Sequence, residues 1–453
     1  MKPGVSAIGG RSMALAWSSG PVMVGGFIPV VTLLNAVVGM LLPRMMTPPD
    51  FGEYALVVTL FNYGLITDLG MSQLIDRQIP AYLGSGRADL ARAFGDKMLW
   101  LRLAIGVTIF AATTLALTAI DVTRGLPFSL LAGVLAAMAG LANMVAQGPT
   151  CIYRARSDRR NYAIFISILL SGLIFARLGG LIAGGLVGCF AAMAAWYLAW
   201  AVVTHRRMPL NTTRILAARE ALSLISVGVP YFATSFVWAF YVTGNRWFAS
   251  FLIEPAEFGQ FAFSANIFSL LVGSAGGFSA FYYPKIVERI ARSGDHAVSR
   301  VLLWDLTRLI TGTAVLMTCG IVLSGFLIRM IYPMYLPGVQ TARVILVAVP
   351  PMVLASWLMP ISLSSSKRPF LDGLISYPMA TAILGLAIFI LYRSAGDQGV
   401  AWASTASAVP LVAIQLVTMR QAKILHGRDA LLLFLATAGV SVALGGLAWR
   451  INA

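Results

Sequence analysis

Charge is what this sequence has least of. Only 11% of its 453 residues are Asp, Glu, Lys or Arg, where a soluble domain carries about 25%. With 58% of residues hydrophobic, too few polar side chains remain to cover a water-facing surface. A soluble globular fold is excluded, and lipid and other membrane helices become the solvent for most side chains. Acidic residues are scarcer still, 17 against 33 Lys and Arg, which leaves a formal charge of +16. The basic residues fall between apolar runs and form no long cluster. They therefore read as topology markers, and a nucleic-acid partner is not expected.

Cysteine and histidine are nearly absent, three of each. Cys151, Cys189 and Cys319 are scattered in or beside apolar segments without CxxC or metal-ligand spacing, which excludes a disulfide framework. His205, His296 and His426 fall in separate loops, and no HExxH, P-loop or GxSxG arrangement occurs. Neither an enzyme nor a cofactor or metal is expected, and without a P-loop the chain has no nucleotide engine of its own. Asn211-Thr212-Thr213 fits a glycosylation pattern but falls on the expected cytoplasmic face, where it is accidental. No cleavable signal peptide is evident: Met1–Gly20 carries Lys2 and Arg11 and leads into a long apolar run, which serves as an uncleaved insertion signal.

What the sequence has is apolar runs. A hydrocarbon core of about 30 Å needs about 20 helical residues. Runs of that order occupy roughly 21–42, 52–75, 98–120, 126–148, 161–179, 181–203, 222–245, 257–281, 306–328, 340–362, 371–392 and 398–419, with a thirteenth at 429–449. Only a glycine-rich corner at Gly179–Gly180 divides the fifth from the sixth. With the N-terminus in the cytoplasm, 25 of the 33 Lys and Arg lie on the cytoplasmic side, as the positive-inside rule requires.

The runs are duplicated. Asp50-Phe51-Gly52-Glu53-Tyr54-Ala55 matches Glu257-Phe258-Gly259-Gln260-Phe261-Ala262 at an offset of 207, and Ser85-Gly86 matches Ser293-Gly294 at 208. Leu126-Pro127 matches Leu336-Pro337 at 210. Each repeat holds six spans, and an even number returns the chain to its starting side, so the two repeats insert in parallel. The expected architecture is an all-α polytopic membrane protein. It has an N-terminal six-helix lobe at 1–203, a basic cytoplasmic linker at 204–221, a C-terminal lobe at 222–420 and an extra transmembrane helix at 421–453. Parallel repeats with a path between them are a transporter design.

Ionisable residues inside spans are costly and so are candidates for function. Asp68 lies deep in the second span, where a helix-end or packing role is the alternative. Arg246 is near one end of the seventh span, Arg44 closes the first and Arg177 interrupts the fifth; each is otherwise an interfacial anchor. Arg77 and Arg102 flank the loop after the second span and are placed to meet an anionic head group, though topology signalling explains them as well. These residues make Arg44, Asp68, Arg77, Arg177 and Arg246 the candidate substrate-binding set.

Leu42-Pro43-Arg44-Met45-Met46-Thr47-Pro48-Pro49-Asp50-Phe51-Gly52-Glu53-Tyr54-Ala55 resembles the first loop of bacterial polysaccharide exporters and O-antigen flippases, and Asp68-Leu69-Gly70 through Arg77 resembles the segment that follows it there. Asn245-Arg246 through Gly259 is similar to the second-half counterpart. The likeness runs from about residue 20 to 420 and points to the multidrug/oligosaccharidyl-lipid/polysaccharide exporter superfamily. It implies two six-helix lobes in a V that give alternating access. It also implies a substrate of undecaprenyl-pyrophosphate-linked oligosaccharide, moved across a bacterial inner membrane for O-antigen or exopolysaccharide synthesis. Membrane lipid, a polysaccharide polymerase and glycosyltransferases are the implied partners. Where many members carry an acid, this chain has Asn245, which leaves Asp68 as the main acidic candidate. A multidrug or cation antiporter of the same superfamily, and a membrane-embedded polymerase, are the competing readings.

Overall fold

The computed structural model describes residues 28–208, 217–365, 369–421 and 425–452. Lys2, Arg11, the start of the first span, the middle of the basic linker and Asn211–Thr213 lie outside the described residues. Every regular element described is helical, as a chain in hydrocarbon must be if each backbone N–H and C=O is to be bonded within its own segment.

In chain order the helices are α1 (Ile28–Leu41), α2 (Pro48–Ile66), α3 (Met71–Gly84), α4 (Ala88–Arg124), α5 (Leu130–Ala155), α6 (Arg159–Arg207) and α7 (Ala218–Ser250). Then come α8 (Pro255–Ile331), α9 (Val339–Leu346), α10 (Val349–Ser365), α11 (Pro369–Gln421) and α12 (Gly427–Asn452). Short 3-10 turns cover Leu42–Met45 and Pro333–Gly338. Among the described residues, eight helices are long and apolar enough to cross a membrane, or nine if the bent pair Pro333–Leu346 and Val349–Leu358 is one span. The chain is a multi-pass membrane protein.

The structure departs from the expected spans in four places. The second, expected at 52–75, stops at Ile66 and restarts as α3 at Met71. The tenth, expected at 340–362, bends by 45° near residues 347–348. The corner expected at Gly179–Gly180 lies at Gly184–Gly185 instead, where the backbone leaves helical torsions inside α6. The loop expected between the eighth and ninth spans is helical, so that α8 runs through both.

The chain forms two compact units. One contains residues 60–232 with the chain up to Leu42; the other contains Pro43–Thr59 and Ala233–Ala453. In the first, Met71, Ile75 and Ile79 of α3, Met98 and Leu99 of α4, and Ile152 of α5 are all nearly inaccessible and form one apolar core. In the second, Phe51, Phe263 and Tyr335 pack edge to face or tilted, with ring centroids 4.7–6.5 Å apart. The duplicated motifs meet inside this second unit. A Cβ on Gly52 would stand 3.3 Å from the Gly259 backbone, and one on Gly259 would stand 1.8 Å from the Pro48 carbonyl oxygen. Glycine is needed at both repeat mates because the two motifs pack backbone to backbone.

Candidate functional site

In the first unit the structure is organised around the interruption after α2. Leu69 and Gly70 take positive φ, 49° and 82°, which turns the chain sharply before α3. Asp68 sits in this turn and is 5% exposed. One carboxylate oxygen accepts the Gly70 N–H at 3.0 Å. The other accepts the Ser72 N–H at 2.9 Å and the Ser72 hydroxyl at 2.5 Å. A carboxylate here offsets the unbonded N–H groups and positive dipole end of α3.

Arg102 completes the cluster. It is 2% exposed and reaches from α4 to donate to Asp68 at 2.9 Å, to the Ser72 hydroxyl at 2.6 Å and to the Met144 carbonyl of α5 at 2.6 Å. The pair therefore ties three helices and the turn together. Asp68 is the one buried carboxylate among the described residues, and both of its oxygens are engaged. Arg102 was expected at the loop flank. Its position inside the apolar run Leu99-Trp100-Leu101-Arg102-Leu103 was the signal that it belongs to the interior.

Arg77 is exposed and donates to the Tyr231 hydroxyl, with its guanidinium 5.7 Å from that ring's centre. Next to it, Arg154 grips Asp76 with two bonds of 3.1 and 2.6 Å, and Lys97 meets Glu220 at 2.5 Å. These are surface contacts that fasten α3, α4, α5 and the start of α7. Arg177 is half-buried in α6, and its Nε is buried without a hydrogen-bond partner. Asp68 thus joins Arg102 and not Arg77 or Arg177.

In the second unit Arg246 is 3% exposed. It donates to the Thr59 hydroxyl at 3.3 Å, the Ala265 carbonyl at 3.0 Å and the Ser269 hydroxyl at 2.8 Å, which links α2, α7 and α8. Its neighbour Asn245 donates to Ser404 at 3.2 Å, and the Tyr241 and Ser407 hydroxyls lie 3.1 Å apart. These side chains, with Phe268 and Leu384, line a cavity of about 10 Å³, near the smallest space that holds one water. Arg44 is exposed on the turn Leu42–Met45. Burial raises the Tyr332 phenol above its ordinary pKa, and the charge of Arg44 acts in the opposite direction. Among the described residues no three His, Cys, Asp or Glu side chains gather to hold a metal.

No curated protein sequence matches. Among solved structures, the fold is similar to the lipid II flippase MurJ in an inward closed conformation, with a TM-score of 0.65 at 12% identity, over 94% of this chain and 98% of that one. It is equally similar to an inward-facing multidrug resistance MATE transporter, with a TM-score of 0.65 at 15% identity over 91% and 95%. A variant of the MATE transporter VcmN of Vibrio cholerae gives 0.59 at 12% over 95% and 97%. By sequence, residues 24–289 match the family described as polysaccharide biosynthesis protein. That is more than half of the chain, and it shows that the chain belongs to this family.

Proposed function

We propose that the protein moves a lipid-linked oligosaccharide of the undecaprenyl-pyrophosphate type across a bacterial inner membrane, for the synthesis of a surface polysaccharide such as O-antigen or exopolysaccharide. The family match supports polysaccharide traffic. The observation that carries the choice of substrate class is the charge inventory of the helices. The one buried carboxylate among the described residues, Asp68, is held by Arg102, Ser72 and the start of α3. A cation-coupled drug exporter needs a carboxylate that can exchange its cation, and this one is a strut.

The arginines suit an anion. A pyrophosphate leaving water loses hydration that charge-assisted hydrogen bonds can offset. Arg177 offers a buried Nε with an open donor. Arg44 and Arg77 are exposed. Arg246 is held by hydroxyl and carbonyl oxygens and contributes a fixed positive charge. In this reading Arg44, Arg77 and Arg177 contact the head group, Arg246 sets the field, and Asp68 acts by positioning Arg102. The two six-helix lobes, one on each side of the basic linker, would supply the alternating access, with the last helix outside the duplication.

The test is export of surface polysaccharide from a strain lacking the chain and complemented with variants. Arg177→Ala is expected to cut export at least tenfold and Arg44→Ala severalfold, with the protein still present in the membrane. Full export by both would remove the anion-binding role from these sites. Purified protein in vesicles that expels ethidium on a proton or sodium gradient would instead identify a drug antiporter.

A further inference from the structure

Two adjoining cavities lie along one face of α12 in the second unit, and they share Trp402 of α11. The first, about 210 Å³, has a polar lining of Gln340, Gln398 and Asn452 together with Trp402 and Trp449. The second, about 380 Å³, continues past Trp402 and Thr405 to Val409 on α11 and to Ala438 and Val442 on α12. Both are far larger than the 10–15 Å³ or so that one water needs. The combined groove therefore carries its amide side chains at one end, the head, beside Val344 and the indoles, and is almost wholly apolar along the other, the tail.

A cation stands beside the head, and a hydroxyl without a partner lies along the groove. Beside the head, Arg343 donates to Asn452 at 2.9 Å, to the Ile451 carbonyl at 3.4 Å and to the Ser324 hydroxyl at 3.2 Å. These are neutral oxygens, and they hold a positive charge next to the polar lining. The nearby Asp397 carboxylate is already taken by the Thr341 hydroxyl and the Gln398 N–H. Between head and tail stands Thr405, 8% exposed, whose buried hydroxyl has no partner. Helical threonines elsewhere in the chain, such as Thr243, Thr313 and Thr437, donate to the carbonyl four residues back. Thr405 does not, and its side chain lines the groove.

We infer that this groove is a binding site for one bilayer glycerophospholipid, with its phosphate at Arg343, Gln398 and Asn452, an ester carbonyl accepting from Thr405, and an acyl chain lying between Val409 and Ala438. The spacing agrees. Gln398 and Thr405 are seven residues apart on α11, about 10 Å at 1.5 Å per residue, a span that a phosphate and an ester carbonyl a few bonds away cover when each end also makes a side-chain hydrogen bond. Trp402 and Trp449 flank the head end as indole rings do at the membrane interface. The site is independent of the proposed transport substrate.

The full chain is reconstituted in phosphatidylglycerol vesicles containing a trace of phosphatidylglycerol with a photoactivatable acyl chain, and cross-links are mapped by mass spectrometry. Labelling is expected to concentrate on residues 402–409 and 438–445. Ala438→Trp, which fills the tail, is expected to lower it at least fivefold, and Thr405→Val, which removes only the hydroxyl, about two- to threefold. Leu435→Trp, on the exposed face of the same helix, is the control and should label as the parent does. Equal labelling in Ala438→Trp and Leu435→Trp would overturn the inference, as would full labelling in Thr405→Val. So would displacement of the probe by a polyprenyl phosphate but not by unlabelled phosphatidylglycerol, which would give the groove to the carrier lipid.

Discussion

At Gly184–Gly185 in the first repeat the backbone takes φ/ψ of −156/28 and 60/−145. At Ala395–Gly396 in the second it takes −140/15 and 54/−134. The offset is 211, which extends the drift from 207 to 210 seen along the sequence, so the corners are repeat mates. Just past each corner a glycine presses on a carbonyl of the helix before it. A Cβ on Gly188 would lie 2.4 Å from the Gly180 oxygen, and one on Gly399 would lie 2.1 Å from the Leu391 oxygen. Torsions and close approach are kept, while the residues are not. Alanine replaces glycine at the first corner position, where φ is negative, and glycine stays at the second, where φ is positive and a Cβ is strained. The repeats part company after their first duplicated motif. The first repeat breaks at Ile66 and binds the break with Asp68 and Arg102, whereas the second runs on as α8.

The largest effect should come from the feature that only one repeat has. Arg102→Met leaves Asp68 buried without its cation and is expected to destabilise the protein by about 3–5 kcal/mol. This is read as a lowered midpoint of thermal unfolding in detergent by tryptophan fluorescence. The double variant Asp68→Asn with Arg102→Met should recover part of that loss, because the two residues act as a unit. Strict additivity would mean the pair is not coupled.

Next come the pressed glycines. Gly399→Ala and Gly188→Ala each force two backbones apart, at about 1–3 kcal/mol, with Gly399→Ala the worse by its shorter approach. The reverse order would show that the corners are not packed alike. Gly396→Ala and Gly185→Ala meet no nearby atoms and suffer only the torsional penalty, about 1–3 kcal/mol. They should match each other in the same thermal assay. Gly184→Ala should be within about 0.5 kcal/mol of the parent, because its mate is already Ala395. A clear loss there would mean that the resemblance of the corners is only geometric.

Most of this architecture was legible in the sequence, because helix in hydrocarbon is forced and needs little more than length to be recognised. The duplication was legible in Phe51-Gly52 and Phe258-Gly259, and the structure adds why those glycines persist. The finer breaks were not. Four glycines at 179, 180, 184 and 185 all permit a corner, and only packing decides that Gly185 turns while Gly180 lies against Gly188. Asp68 followed by Gly70 is turn chemistry, but a hydrophobic window from 52 to 75 hides it. Within the candidate set, the sequence singled out costly charges without telling a bound charge from an open one. Arg246 and Asp68 prove to be held by several hydrogen bonds each, Arg44 and Arg77 lie exposed, and Arg177 is half-buried.

The Asp68–Arg102 bond also bears on how the chain is made. The two residues are 34 positions apart, so Asp68 emerges from the ribosome before its cation does. Either charge alone within a membrane helix costs a few kcal/mol to insert, and together they neutralise each other. The stretch from Asp68 to Arg102 is therefore easier to insert once both charges are present than one element at a time.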